Sequence, residues 1–343
     1  MKSHAYEVTA VDVGRLVLEV LAPCFGIALL LHAAVFLQLL PDPWPALDLE
    51  RTVITHQAEA SRTDHGANLV FVGDSSCLMD LSGTVLEQAA GDDLEYLNLG
   101  TFSYLGFGGF TTILARCVEQ NRESLQMVVV LVHPQMLRNS DPAAEYLVFL
   151  SDYYAGADHM GAPSFYSRLE SMLGLHIVRG RLQGRLPQVL PGAYGREYGF
   201  NLNLDRHMTR NLGSATDPNR YVAGSGQGTA EYRLAASLEP LCQGMKAVLP
   251  EGIKLAVALA PIPESMAPPE YTLRRDALLG RWADWMHADL VLTNLPAVMP
   301  DSLFATTTHL NEEGARRFTE LMGRWLGELL RGEPATGPEK RAR

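Results

Sequence analysis

Closely spaced cysteines are missing from this chain: its four, Cys24, Cys77, Cys117 and Cys242, form no C-x-x-C pair and no metal-binding spacing. A zinc ribbon or dithiol redox motif is therefore unsupported, and the plain reading is of small buried apolar residues. Positive charge is also scarce, with 28 Lys and Arg against 39 Asp and Glu for a net charge of −11. So acidic a chain is a poor match for nucleic acid or anionic lipid as its main partner. Residues 1–40 contribute only Lys2 and Arg15 against Glu7, Asp12 and Glu19, so nearly all of the negative charge lies in the remainder. No G-x-G-x-x-G or phosphate-loop pattern follows the first strand-like run, and GSGQG at 224–228 has neither a preceding strand nor a Lys-Ser/Thr pair. A nucleotide-binding domain is poorly supported, and no internal repeat is visible.

Apolar residues are plentiful, at 47% of the 343 positions, enough for a substantial core. Residues 20–40 carry no formal charge and, at roughly 1.5 Å per residue, are long enough to cross a hydrocarbon core of ~30 Å. This run reads as a transmembrane helix, with a buried core helix or a cleaved signal peptide as alternatives. Pro23, His32 and Gln38 weaken it, and Cys24 falls inside it. Lys2 and Arg15 before the run, and Asp42, Asp48 and Glu50 after it, favour the tail inside and the body outside. PDPWP at 41–45 cannot continue a helix, so residues 1–45 form the tail and anchor.

Beyond it, strand-like runs at 68–73, 94–99, 126–132, 253–260 and 289–294 alternate with amphipathic helical patterns at 78–90, 108–121, 231–248, 272–287 and 311–330. That alternation predicts a doubly wound α/β domain over 46–137 and 229–331, a three-layer α/β/α sandwich around a five-stranded parallel sheet. Residues 138–228, rich in Gly, Tyr, Arg and Asn, are too long for a connection and read as an inserted cap. Residues 332–343 are a polar tail. Within the insertion, Arg206 and His207, and the aromatics Tyr153, Tyr154, Phe165 and Tyr166, could touch a sugar or an anion; a solvated loop and a small core are the plainer readings.

The chemistry concentrates at two places far apart in sequence. LVFVGDSS ends the first strand with Asp74, Ser75 and Ser76 and runs directly into a helical pattern, which puts Ser75 at the carboxyl edge of the sheet. A serine at a helix start feels the positive end of the helix dipole, although the three residues could equally serve as helix caps. Near the other end, THLNEEGARRF places His309 just ahead of the last helix, two residues before Asn311. In a doubly wound sheet that loop can return to the edge that holds Ser75 and supply a base for a serine nucleophile.

GDSS after the first strand, the glycine of NLG after the second and the late H-L-N-x-x-G together resemble the SGNH (GDSL-like) hydrolase and acyltransferase superfamily. The N-terminal apolar run, the insertion and LVHPQML further resemble its membrane-anchored branch, which includes the D-alanyl transfer protein of teichoic acids and the alginate O-acetylation proteins. The resemblance implies Ser75 as nucleophile, His309 as base, Asp74 as support for the turn, and Gly100 as an oxyanion-hole glycine whose N–H joins that of Ser75. It implies no cofactor and no metal. The function it implies is transfer or hydrolysis of an acyl ester, acetyl by preference, on a cell-surface polysaccharide. The body would stand on the periplasmic or extracellular side of a bacterial cytoplasmic membrane, with a multi-span membrane O-acyltransferase as acyl donor.

Two positions depart from the family pattern. Three residues before the histidine the family carries an aspartate, where this chain has Thr306. Asp301 could supply the carboxylate if the loop folds back; otherwise a Ser-His dyad, or no catalysis, remains. The family's third-block asparagine is also absent, because the third strand ends in His133-Pro134-Gln135, where either side chain could donate or the stretch is simply an edge loop. A rival reading is accordingly an inactive scaffold or polysaccharide-binding subunit of an exopolysaccharide synthesis or export complex.

Overall fold

The computed structural model describes residues 14–15, 17–36, 49–91, 94–138, 143–156, 208–216 and 232–330. The chain forms two units, Met1–Leu47 with Met160–Leu190 and Asp48–His159 with Pro191–Arg343. In the first, a π-helical turn at Val17–Leu21 leads into α1 (Ala22–Phe36), with Phe25, Ile27, Leu29 and Leu30 exposed. Among the described residues no helix is long and apolar enough to cross a membrane. Residues 37–40, the end of the expected span, lie outside the described residues.

The second unit is α/β. Runs such as LVFVG, MVVVLV and KLAVAL offer apolar side chains to both faces and must be covered on both. The strands are β1 (Leu69–Gly73), β2 (Tyr96–Gly100), β3 (Met127–Val132), β4 (Lys254–Leu259), β5 (Ile262–Pro263), β6 (Leu290–Val291) and β7 (Val298–Met299). Five of them form one parallel sheet in the order β2-β1-β3-β4-β6. The chain therefore leaves β1 toward one side and resumes on the other, and the switch point lies between the carboxyl ends of β1 and β3.

The α-helices named among the described residues of this unit are α2 (Leu49–Ser61), α3 (Ser75–Met79), α4 (Gly83–Ala90), α5 (Gly106–Gln120), α6 (Ala144–Tyr154), α7 (Glu239–Ala247), α8 (Tyr271–Met286) and α9 (Glu312–Leu330). Leu69, Phe71, Met127, Val129 and Leu131 pack with Leu86 of α4 and with Phe318, Met322 and Leu326 of α9. The alternate residues of the strands face the other way, where α5 and α8 contact the sheet and meet each other through Phe107 and Trp282. Each large apolar side chain so buried contributes about 1.5–3 kcal/mol. Cys77, Cys117 and Cys242 are buried free thiols, whereas Cys24 is exposed.

Several elements differ from the sequence expectation. The helical pattern at 78–90 is two helices, α3 and α4, because Asp80 caps the end of α3 and turns its carboxylate away to the main chain of Leu310. The pattern at 231–248 gives a 3-10 turn at Ala236–Leu238 and becomes α-helical only at α7, where Pro240 fixes the first turn. The expected strand at 289–294 shortens to two residues, and β5 with β7 forms a small parallel pair that the pattern did not announce. Of the insertion at 138–228, the described parts belong to the α/β unit. α6 docks on α2 through Tyr153 on Glu59 and Tyr154 with Ser61. Residues 208–216 run beside β2, where the Asn98 N–H donates to Leu212 O and the Ala215 N–H to Leu78 O. An open sheet edge is covered in this way. The rest of the insertion, with Arg206, His207, Phe165, Tyr166 and GSGQG, lies outside the described residues, as does the polar tail.

Candidate active site

Ser75 owes its position to the end of β1. Gly73 pairs with Gly100 of β2 and Leu131 of β3, and a Cβ on Gly73 would lie 1.8 Å from Leu131 O, so no side chain fits there. Asp74 then caps α3, its Oδ1 accepting the Ser76 N–H at 3.0 Å. Ser75 is the first helical residue, and its N–H, like those of any first turn, has no acceptor within the helix. The hydroxyl thus stands at the topological switch point beside a backbone donor.

His309 arrives from a loop closed on itself. Phe304 and Leu310 form an antiparallel bridge, His309 O accepts from Ala305 N at 2.9 Å, and Thr306 Oγ1 accepts from His309 N at 3.1 Å. Two bonds tie this loop to α3: Asp80 Oδ1 accepts the Leu310 N–H at 2.7 Å, and Ser76 Oγ donates to Thr308 O at 3.1 Å. The result is a separation of 2.9 Å between Ser75 Oγ and His309 Nε2. That is the distance a general base needs from its nucleophile.

Burial shapes the charge around the pair. The Asp74 carboxyl is pushed up to about 7 by burial, opposed by the N–H groups it accepts from His133, Ser76 and Cys77. Burial, together with the charges of His309 and Arg138, pushes His133 down to about 3. The Cys77 thiol rises through burial and the neighbouring Asp74 and Asp80. Charge on this edge is therefore suppressed on the groups beneath Ser75.

Other sequence-chosen residues are placed differently. Gly100 was the expected oxyanion donor, but its N–H donates to Asn98 Oδ1 at 2.8 Å and is committed to the strand. The glycine is needed for packing instead, since a Cβ there would lie 2.4 Å from Leu78 N. Asp301, the alternative acid, has Oδ1 on the Ser265 N–H at 3.0 Å. Thr306 acts on the main chain of His309.

Asp80, Asn98 and Gln57 were not foreseen, although all three are buried. Asn98 holds Cys77 O and Ser214 Oγ, each at 2.8 Å, and Gln57 Nε2 donates to Gly100 O at 2.7 Å. A polar residue inside an apolar strand, as in YLNLG, was the one signal available. Among the described residues no group of three or more His, Cys, Asp or Glu could hold a metal. A cavity at the opposite, amino edge is lined by Asn68, Gly91, Leu94 and Gln126, with no serine or histidine among its lining residues.

Compared with known proteins, the chain matches no family model, no curated protein and no solved structure.

Proposed function

We propose that this chain is an SGNH-like serine acyltransferase or esterase acting on a cell-surface polysaccharide. The observation that carries the reading is the 2.9 Å contact between Ser75 Oγ and His309 Nε2 at the sheet's switch point. With its proton on Nδ1, His309 accepts the Ser75 hydroxyl proton at Nε2 as Oγ bonds to the ester carbonyl carbon. When the carbon–oxygen bond to the leaving group breaks, the same proton passes to the departing alkoxide and an acyl-serine remains. Water or a sugar hydroxyl then reverses these steps, giving hydrolysis or transfer.

The reading includes a three-layer α/β/α body and an N-terminal membrane anchor at residues 20–40. The body stands on the periplasmic or extracellular side, and a multi-span O-acyltransferase supplies the acyl group. The exposed apolar side chains of α1 support the anchor. Recovery of the full-length chain in a detergent-free soluble fraction would count against it. Aryl-acetate turnover by the full-length chain, lost in Ser75→Ala and in His309→Ala, is the result that supports the acyl-transfer chemistry. Equal turnover in Ser75→Ala removes it.

One observation favours a second reading, an inactive scaffold or polysaccharide-binding subunit. The position where a catalytic acid belongs holds Thr306, whose hydroxyl serves the backbone N–H of His309. Wild-type polymer acylation in cells that express only Ser75→Ala would select this reading.

A further inference from the structure

A tetrahedral acyl intermediate is stabilised by preorganised donors aimed at its oxygen, and the N–H of Gly100 is committed to Asn98. Ser75 N–H offers one donor, and a second on the same edge would add to it. His133 follows β3 directly, across the switch point from Ser75, and its N–H donates to both oxygens of Asp74 at 3.2 and 3.0 Å. Its ring is 4% exposed. Nδ1 accepts the Gln135 N–H at 3.3 Å, while Nε2 is buried with no hydrogen-bond partner among the described residues.

A neutral imidazole that accepts at Nδ1 carries its proton on Nε2. Burial holds this ring neutral, and the charges of His309 and Arg138 act in the same direction. The orphan is thus an uncharged donor, buried at the end of the strand next to the nucleophile. Buried donors seldom go without an acceptor, and a bound reacting group is one reason why they do.

We propose that the Nε2–H of His133 is the second oxyanion-hole donor, acting with the N–H of Ser75 on the carbonyl oxygen of the bound ester; this rests on the acyl-transfer reading of Ser75. As Ser75 Oγ adds to the carbonyl carbon, the π electrons move to oxygen, and the His133 proton stays on nitrogen throughout, as a hydrogen bond that shortens. His309 alone carries the transferred proton.

The test uses full-length protein and an aryl acetate. His133→Ala lowers kcat by about 10²–10³-fold with little change in KM, the usual consequence of removing one such donor. His133→Asn, which restores an N–H donor, recovers a tenfold or larger share of that loss; a purely structural role would leave both variants equally impaired and equally destabilised. Unchanged kcat in His133→Ala, with Ser75→Ala inactive, overturns the donor role and leaves the Ser75 reading standing. A wild-type protein that neither turns over the ester nor labels at Ser75 overturns both. Nitrogen-15 NMR of the wild-type histidines gives a result independent of the variants' folding. The expected spectrum shows His133 protonated at Nε2 alone between pH 5 and 8, and a proton at Nδ1 overturns the proposal.

Discussion

On the Ser75 side the holding bonds come from the sheet itself: Asp74 takes the N–H groups of Ser76 and His133, Asn98 spans Cys77, Gly100 and Ser214, and Gly73 leaves no room for a side chain. On the His309 side they come from one loop, in which Phe304, Ala305 and Thr306 bond back to residues 309 and 310. Ser75 is positioned by the same interactions that make the fold, whereas His309 is positioned by local bonds and by the Asp80 and Ser76 ties to α3. Stability and activity should therefore fail together on the first side and separately on the second.

The sharpest contrast sets Gly73→Ala against His309→Ala. An added Cβ 1.8 Å from Leu131 O forces β1 away from β3, with an expected cost of about 3 kcal/mol or more. His309→Ala should cost only about 1 kcal/mol, the net value of a typical hydrogen bond, while abolishing aryl-acetate turnover. Urea unfolding alongside turnover checks both, and a His309→Ala protein as unstable as Gly73→Ala would erase the distinction.

Asp80 joins the two sides and should show a mixed signature. Asp80→Ala leaves the Leu310 N–H without its acceptor, an expected loss of about 1–3 kcal/mol. Turnover should fall further than that loss explains, because the His309 loop then keeps only its Ser76 tie to α3. Asp80→Asn keeps an acceptor oxygen and should recover most of both. A uniform effect in the two variants would show that the charge of Asp80, rather than its bond to Leu310, is what counts.

Much of this architecture was legible in the sequence, and the reason is local. LVFVG, MVVVLV and KLAVAL are apolar over both faces, so their strands could be placed within a residue or two, and the alternation with helices set the parallel sheet. From that sheet, GDSS and THLN could be assigned to one edge, where they meet. What escaped is long-range. Asp80 finds its partner 230 residues away, and residues 208–216 pair with β2 across more than a hundred positions, which no local period records. The engagement of Gly100 escaped for another reason: a glycine after a strand looks the same whether its N–H is free or held by Asn98.

Thr306→Asp tests the loop side with a smaller change. One carboxylate oxygen can keep the bond to the His309 N–H while the other supports the imidazolium, so turnover should rise roughly tenfold or more at nearly unchanged stability. Unchanged turnover would mean that the loop holds position 306 to the main chain only.

A further, pH-dependent effect concerns Asp74. Its folded-state value, about 7, lies above the ordinary 3.8, so the folded protein binds this proton more tightly. The resulting stabilisation is complete below about pH 4 and is lost as pH rises through about 7. Asp74→Asn stays neutral, so the Tm of the variant minus that of the wild type should climb over that interval and level off above it. His133, pushed down to about 3, has the opposite slope, losing stability as pH falls from 6.5, but it is present in both proteins and cancels from the difference. Calorimetry at pH 4.5, 6 and 8 reads this directly, and a flat difference would place the Asp74 carboxyl in the ordinary range.

The central claim is that Ser75 is a nucleophile activated by His309. Incubation of the full-length protein with a fluorophosphonate, followed by peptide mass mapping, tests it most directly. The account predicts one covalent adduct per chain, located on Ser75 and lost in His309→Ala while the fold is kept. A folded wild-type protein that carries no adduct on Ser75 would contradict it.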